Sequence, residues 1–228
     1  METHTTLLLF YSKESIDFIY RSVYNYSMNE KSDVKQNILE SALALFSAKG
    51  YEGVAVSELT TAAGITKPTL YYHFGSKEGL FEAVCRENYD RLNRVIADSA
   101  IYHANPENYH EDIYKTLHRV VSAYFSFAFE NELFYRLTMA NLCMPCSSSV
   151  FEVVRKYHFE QYEIVGKAFQ EMANAHSNLI GKDKRLAWSF IGAINAYIGY
   201  AWGGVTEVSN INTAKEEIVH QFMHGIYA

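Results

Sequence analysis

The stretch ITKPTLYYHFGSKEGLF, residues 65–81, is too polar and too short to form a buried core helix. Thr66 offers a hydroxyl that can cap a helix N-terminus. Pro68 suits a first helical turn, because its fixed φ and missing N–H donor are harmless there. Gly75 then provides a C-terminal stop, so the pattern predicts a short, largely exposed helix over residues 67–74.

The outward face of this short helix suits a DNA groove. Leu70 and Phe74 are four residues apart and are expected to face a core, which leaves polar and aromatic side chains at the surface. Lysines can neutralise phosphates, tyrosine and histidine can donate to phosphate oxygens, and proline or threonine can touch thymine methyls. The candidate DNA-binding residues are Ser57, Thr66, Lys67, Pro68, Thr69, Tyr71, Tyr72, His73 and Lys77.

Two further helices are predicted before the short one. Apolar residues recur at helical spacing over residues 32–50, and a second, short helix fits residues 56–63. Gly64 is well placed for a tight turn between the second and third helices. Two short helices joined by a glycine turn, with a first helix to pack against, are the parts of a helix-turn-helix module, here over residues 32–80.

The segment ILESALALFSAKGYEGVAVSELTTAAGITKPTLYYHFGSKEGLF, residues 38–81, resembles the DNA-binding domain of the TetR (tetracycline-repressor) family without a gap. The resemblance implies that residues 67–73 enter the major groove, while Lys77 and the start of the second helix hold the DNA backbone. One position departs from the family pattern: Ala55 stands where Ser or Thr usually caps the second helix. Unless Ser57 takes over, the lost cap costs ~1 kcal/mol.

The family resemblance also implies a function and a quaternary structure. We expect a ligand-responsive transcriptional regulator, a repressor, that binds a palindromic DNA operator as a homodimer and is released by a small-molecule effector. No cofactor is expected. An effector site and a dimer interface would then lie in the remainder of the chain, residues 81–228.

Composition favours an all-α cytoplasmic protein. Of 228 residues, 49% are hydrophobic and only 3 are proline, which allows long helices and an ordinary buried core. The 3 cysteines, an odd number, do not form a disulfide framework and favour a reducing compartment. The net charge of −6 gives no global basic footprint, so any DNA contact must come from a local patch.

Aromatic and methionine side chains crowd the middle of the C-terminal part, over residues 124–172. This composition suits a pocket for a small apolar or aromatic effector, although an aromatic stripe at helical spacing also fits plain core packing. The candidate effector-binding residues are His118, Tyr124, Phe134, Met139, His158, Tyr162 and Asn195.

The stretch LAWSFIGAINAYIGYAWGGV, residues 186–205, carries no charge over a length that could cross a bilayer. Asn195 at its centre and its many small residues favour a buried helix at a dimer interface instead, and the family resemblance places the subunit interface here and on the last helix. A membrane-associated structural dimer is the alternative. The candidate interface residues are Trp188, Ile191, Ile198, Trp202, Ile218 and Phe222.

Two segments stay open to other interpretations. The CMPC sequence, Cys143 to Cys146, could serve a thiol- or metal-responsive helical enzyme, but no second ligand pair accompanies it, and we expect neither a metal site nor an enzyme. Residues 1–31 are expected to be an N-terminal extension: TLLLFY is shorter than a signal-peptide core and lacks a preceding basic region. An amphipathic docking helix and a loosely attached arm both fit this extension.

Overall fold

The computed structural model describes residues 34–105, 108, 111–142, 144–204 and 210–225. The extension over residues 1–31 and Cys143 lie outside these ranges. The described ranges are all-α, as the sequence predicts, and contain a single short 3₁₀ helix, Ser177–Leu179. The α-helices are α1 Val34–Lys49, α2 Val56–Ala62, α3 Lys67–Phe74, α4 Lys77–Ser99, α5 Glu111–Glu130, α6 Glu132–Asn141, α7 Phe151–Ala175, α8 Asp183–Trp202 and α9 Ile211–His224.

The chain divides into two compact units, and the division falls after Val84, inside α4. The first unit contains α1, α2, α3 and the start of α4. Its core is formed by Ile38, Phe46, Leu59 and Leu70, all buried. These residues lie at the helical spacing that the sequence shows, so the apolar pattern accounts for how the three helices pack.

An aromatic cluster closes the first unit where α1 ends. The rings of Phe46, Tyr51 and Phe81 lie with centroids 5.1 to 5.8 Å apart, and Phe81 meets both of the others edge-on. Edge-to-face contacts of this kind are favourable beyond the area that they bury. They fix the end of α1 against the start of α4.

The second unit is built from the rest of α4 and from α5 to α9. Helices α7 and α8 pack along one another most extensively, and α9 packs on α5 and α8. Helix α9 begins at Ile211. Asn210 caps it, since its side-chain oxygen accepts the N–H groups of Asn212 and Thr213.

A buried hydrogen-bond network holds one end of the second unit. His176 and Asp112 lie 3.2 Å apart, and the Tyr102 hydroxyl donates to Asp112 at 2.6 Å. Burial opposes ionisation of Asp112, but hydrogen bonds from Tyr102, the Asn105 N–H, His176 and the Ile113 N–H prevail and lower its pKa. The network joins the segment after α4, the start of α5 and the end of α7.

Candidate nucleic-acid interface

The turn between α2 and α3 is fixed by backbone hydrogen bonds. Gly64 takes a φ of +65°, a left-handed conformation that glycine adopts without a Cβ penalty. The N–H of Ile65 donates to the carbonyl of Thr60, and the N–H of Gly64 donates to that of Thr61, which together form a Schellman motif. The Asn37 amide donates to the Ala63 carbonyl at 3.0 Å and ties the turn to α1.

Helix α3 begins with the cap that the sequence predicts. The Thr66 hydroxyl accepts the backbone N–H of Thr69 at 3.4 Å, and the two threonine hydroxyls lie 2.9 Å apart. Pro68 occupies the first turn, and Gly75 ends the helix, donating its N–H to the Tyr71 carbonyl. Leu70 is fully buried, so α3 is anchored by one apolar side chain and presents its other faces outward.

The outward face of α3 holds most of the candidate DNA-binding residues. Lys67 and Pro68 are exposed at the helix N-terminus. Tyr72 is 85% exposed and Tyr71 is 45% exposed. Adjacent exposed aromatic side chains form the kind of contiguous surface patch that marks interaction sites. The remaining two residues of this face, Thr69 and His73, are half-buried beside them.

Lys77 lies at the start of α4, with its ammonium group 4.2 Å from the centroid of the Tyr51 ring. This cation–π contact fixes the position of a flexible side chain. The Glu58 carboxylate is a further electrostatic neighbour of Lys77. Tyr51 was not among the residues singled out from the sequence, because nothing in its local pattern shows that its ring supports a cation.

Ser57 does not cap α2. Its side chain is exposed, and its backbone carbonyl accepts the hydroxyls of Thr60 and Thr61. Instead Glu58 accepts the N–H of Ala55 at 2.9 Å, which is half of a capping box. That hydrogen bond, followed by the one from Lys49, lowers the pKa of Glu58. The signal was present in the sequence: Glu58 stands three residues after the cap position.

In the second unit, several of the candidate effector residues come together. The Tyr89 hydroxyl and the His158 Nε2 atom lie 2.7 Å apart, and the ring of Phe134 meets that of Tyr89 edge-on. Tyr124 and Tyr162 are electrostatic neighbours of Tyr89. Tyr89 itself was not predicted as a site residue, because a tyrosine at helical spacing cannot be distinguished from core by sequence alone.

The other candidate effector residues lie apart from Tyr89. Asn195 accepts the hydroxyl of Tyr135 at 2.6 Å. Met139 is half-buried, with its Cε close to Gly199 of α8. The structure does not bring His118 to the others: it is partly exposed, stacks on Tyr114 and lies 3.4 Å from Glu216 of α9. The role of His118 as a polar anchor for an effector stays a prediction.

Most of the predicted interface residues are used within the protomer. The side chains of Ile191, Ile198 and Ile218 are buried in the core of the protomer, and their assignment to a dimer interface stays a prediction. The seam that they form on α8 and α9 faces the chain's own helices. Phe222 packs on Phe169 and Phe190.

The two tryptophans of α8 differ in their surroundings. Trp202 contacts Phe129, Tyr135 and the guanidinium group of Arg136, and is half-buried. Trp188 is 51% exposed. Of the six candidate interface residues, Trp188 is therefore the one whose side chain remains largely accessible.

The remaining sequence features are the CMPC sequence and the possible metal-binding and membrane segments. Cys146 is exposed. Among the described residues, no group of three or more His, Cys, Asp or Glu side chains is arranged to hold a metal ion. No helix within the described ranges combines the length and the apolar character needed to cross a membrane.

Comparison with known proteins finds a matching family model and relatives that are similar over part of their length. The model of the bacterial regulatory proteins of the tetR family matches residues 38–84. IcaR of Staphylococcus aureus, the negative transcriptional regulator of the biofilm operon icaADBC, is 35% identical over 79 residues, covering 35% of this chain and 40% of IcaR. The transcriptional repressor AcnR of Corynebacterium glutamicum is 36% identical over 73 residues, covering 32% of this chain and 39% of AcnR. The chain thus spans about two fifths of the length of these curated relatives.

Solved structures resemble the chain over more of its length. A protein described as a Clostridium perfringens fatty acid metabolism regulator matches with a TM-score of 0.67 and 24% identity, covering 84% of this chain and 99% of its own. Bacillus subtilis FadR in complex with stearoyl-CoA has a TM-score of 0.67 and 17% identity, covering 84% of this chain and 98% of its own. At these identities the likeness shows a shared fold.

The helix-turn-helix geometry and the family match fall on the same residues. The named relatives are transcriptional regulators, a class of protein that is not enzymatic. Residues 38–84 of the chain thus resemble the domain shared by the tetR family of bacterial regulatory proteins.

Proposed function

We propose that the chain is a cytoplasmic transcriptional repressor that binds a palindromic DNA operator as a homodimer and is released by a small apolar or aromatic effector. Residues 32–80 would bind DNA, and residues 81–228 would bind the effector and the second subunit. The observation that carries the proposal is the outward face of α3, where Tyr72 is 85% exposed on a helix held by a cap, a glycine turn and a buried leucine.

In the proposed complex, residues 67–73 lie in the major groove. The N–H groups at the start of α3 and the Lys67 ammonium would meet phosphate, since a helix N-terminus attracts anions without requiring a basic protein. Thr69 would contact a base edge, its hydroxyl already oriented by Thr66. Tyr72 and Lys77 would donate to the phosphate backbone and set the register of the helix on DNA.

Selection of bound sequences from a random DNA pool tests the proposal, and a palindromic consensus is expected. On the selected operator, Lys67→Ala and Tyr72→Ala should weaken binding to all sequences. The lysine change should reduce the slope of log K against log salt by about one. Lys184→Ala, which removes an exposed lysine in the second unit, is the matched control and should leave the slope unchanged. Unchanged affinity in both α3 variants would refute the assignment of α3.

The proposed homodimer uses the exposed face of α8. Trp188, Gly192, Ala196 and Tyr200 follow one another every four residues and are all exposed. A Cβ added at Gly192 would meet nothing within 4 Å, so this face has room for another helix. Small residues flanked by aromatic ones let two helices approach closely and still bury apolar area.

Effector release is proposed to act through α4. This single helix carries Lys77 near its start and Tyr89 further along, where Tyr89 contacts His158 and Phe134. A molecule that displaces Tyr89 would shift α4, the helix that also carries Lys77, which is proposed to bind phosphate. A ligand shifts such an equilibrium only through a difference in affinity for the two states. The stearoyl-CoA bound by Bacillus subtilis FadR supports an apolar effector.

A further inference from the structure

A set of polar side chains lies inside the second unit. Tyr89 and Asn93 come from α4, Tyr124 from α5, and His158 and Gln161 from α7. We call these five residues the buried polar cluster. All except the half-buried His158 are buried. Three separate helices therefore direct hydrogen-bonding groups into an otherwise aromatic interior.

One contact and the helical spacing of its residues relate the members of the cluster to each other. The Tyr89 hydroxyl and the His158 Nε2 lie 2.7 Å apart, and Tyr124 is an electrostatic neighbour of Tyr89. Asn93 follows Tyr89 by one turn of α4, and Gln161 follows His158 by one turn of α7, so each amide lies on the same helix face as its neighbour.

Several of these groups lack a hydrogen-bond partner within the described part of the chain. They are the Tyr124 hydroxyl, both amide atoms of Asn93, and the Gln161 Nε2. Buried polar atoms in native proteins are nearly always paired, because an unpaired one loses its water without compensation. Three buried side chains of the cluster therefore carry hydrogen-bonding capacity that the described residues leave unused.

The cluster carries no charge at neutral pH. Burial lowers the pKa of His158 to about 4, so its imidazole is neutral. Burial raises the pKa values of Tyr89 and Tyr124 well above the ordinary value, and their electrostatic neighbours are Cys85 and other tyrosines. The Lys156 ammonium lies 5.4 Å from the centroid of the ring of Tyr157, the residue before His158, but Lys156 is exposed to solvent.

We propose that the buried polar cluster binds the uncharged hydrogen-bonding group of an apolar effector, such as an amide or an alcohol, and discriminates against carboxylates. The inference rests on the proposed function, because it assigns a ligand class to the same regulator. Asn93 offers both a donor and an acceptor, Gln161 a donor and Tyr124 either, which matches a primary amide. A carboxylate would lose its hydration, and none of the five residues of the cluster offers it a counter-charge at neutral pH.

Matched pairs of ligands test this assignment. The probes are decanamide against decanoate, and naphthamide against naphthoate, measured by calorimetry and by thermal shift at about pH 7.5, where the acids are ionised. Each amide should bind at least about ten-fold more tightly than its acid. Acids that bind as tightly as their amides, or failure of all four probes to bind, would overturn the assignment.

Substitution of an unpaired group provides a second test. Tyr124→Phe removes a hydroxyl that has no hydrogen-bond partner among the described residues, so the melting temperature should stay the same or rise. Amide affinity should fall about ten-fold, since the ligand loses a hydrogen bond in a buried site. Tyr114→Phe, on the surface of α5, is the control and should not alter amide affinity. A lower melting temperature with unchanged amide affinity would show that the Tyr124 hydroxyl is structural and would contradict the inference.

Operator binding measured on the same preparations separates this inference from the proposed function. If decanoate releases the operator and decanamide does not, the regulator stands and the ligand class is wrong. If the wild-type protein selects no DNA sequence, the proposed function fails, whatever the amides do. Amide binding with operator release, weakened in Tyr124→Phe, supports both.

Discussion

Lowering the pH should destabilise the second unit through His158. Its imidazole lies edge-on to the Tyr89 ring, and burial lowers its pKa from 6.5 to about 4, because the charged form loses hydration. In the unfolded chain the same group titrates at its ordinary pKa. The folded state therefore binds its proton less readily than the unfolded state does, and acid favours unfolding.

The size of the effect follows from the two pKa values. A group with a depressed histidine pKa contributes its full stability above the unfolded value of 6.5, and the contribution is lost as the pH falls toward about 4. The whole window corresponds to about 3 kcal/mol at 1.36 kcal/mol per unit. Between about pH 7.5 and pH 5, His158 becomes protonated in most unfolded molecules but in few folded ones, which lowers the free energy of unfolding by about 2 kcal/mol.

Denaturant unfolding of the wild type and of His158→Gln across this pH range measures the contribution. The wild type should lose about 2 kcal/mol more than the variant between about pH 7.5 and pH 5. His220→Gln, an exposed histidine, is the control and should keep the wild-type pH dependence. A nuclear magnetic resonance titration reports the histidine directly. Titration of His158 near its ordinary pKa, or equal pH dependence in the wild type and His158→Gln, would refute the argument.

Two further substitutions test the α3–α4 junction and the proposed dimer face. Gly79→Ala would place a Cβ 2.1 Å from the Phe74 carbonyl oxygen, so it should destabilise the first unit and weaken operator binding. Gly166→Ala is the control, because its added Cβ would lie 3.9 Å from the nearest neighbouring atom and should not destabilise the protein. Thermal unfolding of both variants tests this, and a Gly79→Ala protein as stable as wild type would contradict the geometry. Ala196→Arg adds a charge to the exposed face of α8 and should give folded monomers, measured by light scattering. Ala97→Arg, at an exposed position of α4, is the control and should keep the wild-type oligomeric state. A dimeric Ala196→Arg protein would exclude this face as the interface.

The helix-turn-helix module could be predicted from sequence because its determinants are local. Thr66, Pro68 and Gly75 fix α3 through a cap, a first-turn proline and a stop, and each acts within a few residues. The structure confirms the bounds of α3 to the residue. Tyr51 was missed for the opposite reason, since its ring meets Lys77 only after α1 and α4 have packed.

The interface predicted on α8 shows where sequence patterns stop being informative. Ile191 and Ile198 recur at a spacing that fits a partner helix and a protomer core equally well, because both are apolar and both are helical. The sequence alone cannot decide which neighbour the seam contacts. The structure assigns it to the protomer and leaves the small-residue face, with Gly192 and Ala196, exposed.

The acidic net charge of −6 is compatible with DNA binding because the Glu58 carboxylate, near the proposed interface, is paired within the first unit. Glu58 lies close to the proposed interface and would repel phosphate if it were free. Its carboxylate instead accepts the Ala55 N–H and pairs with Lys49, which compensates its charge locally. Lys67 at the N-terminus of α3 then faces solvent together with the positive end of the helix. Affinity for a polyanion depends on the charges within about a Debye length of it, about 8 Å at physiological salt, so acidic residues elsewhere on the chain weigh little.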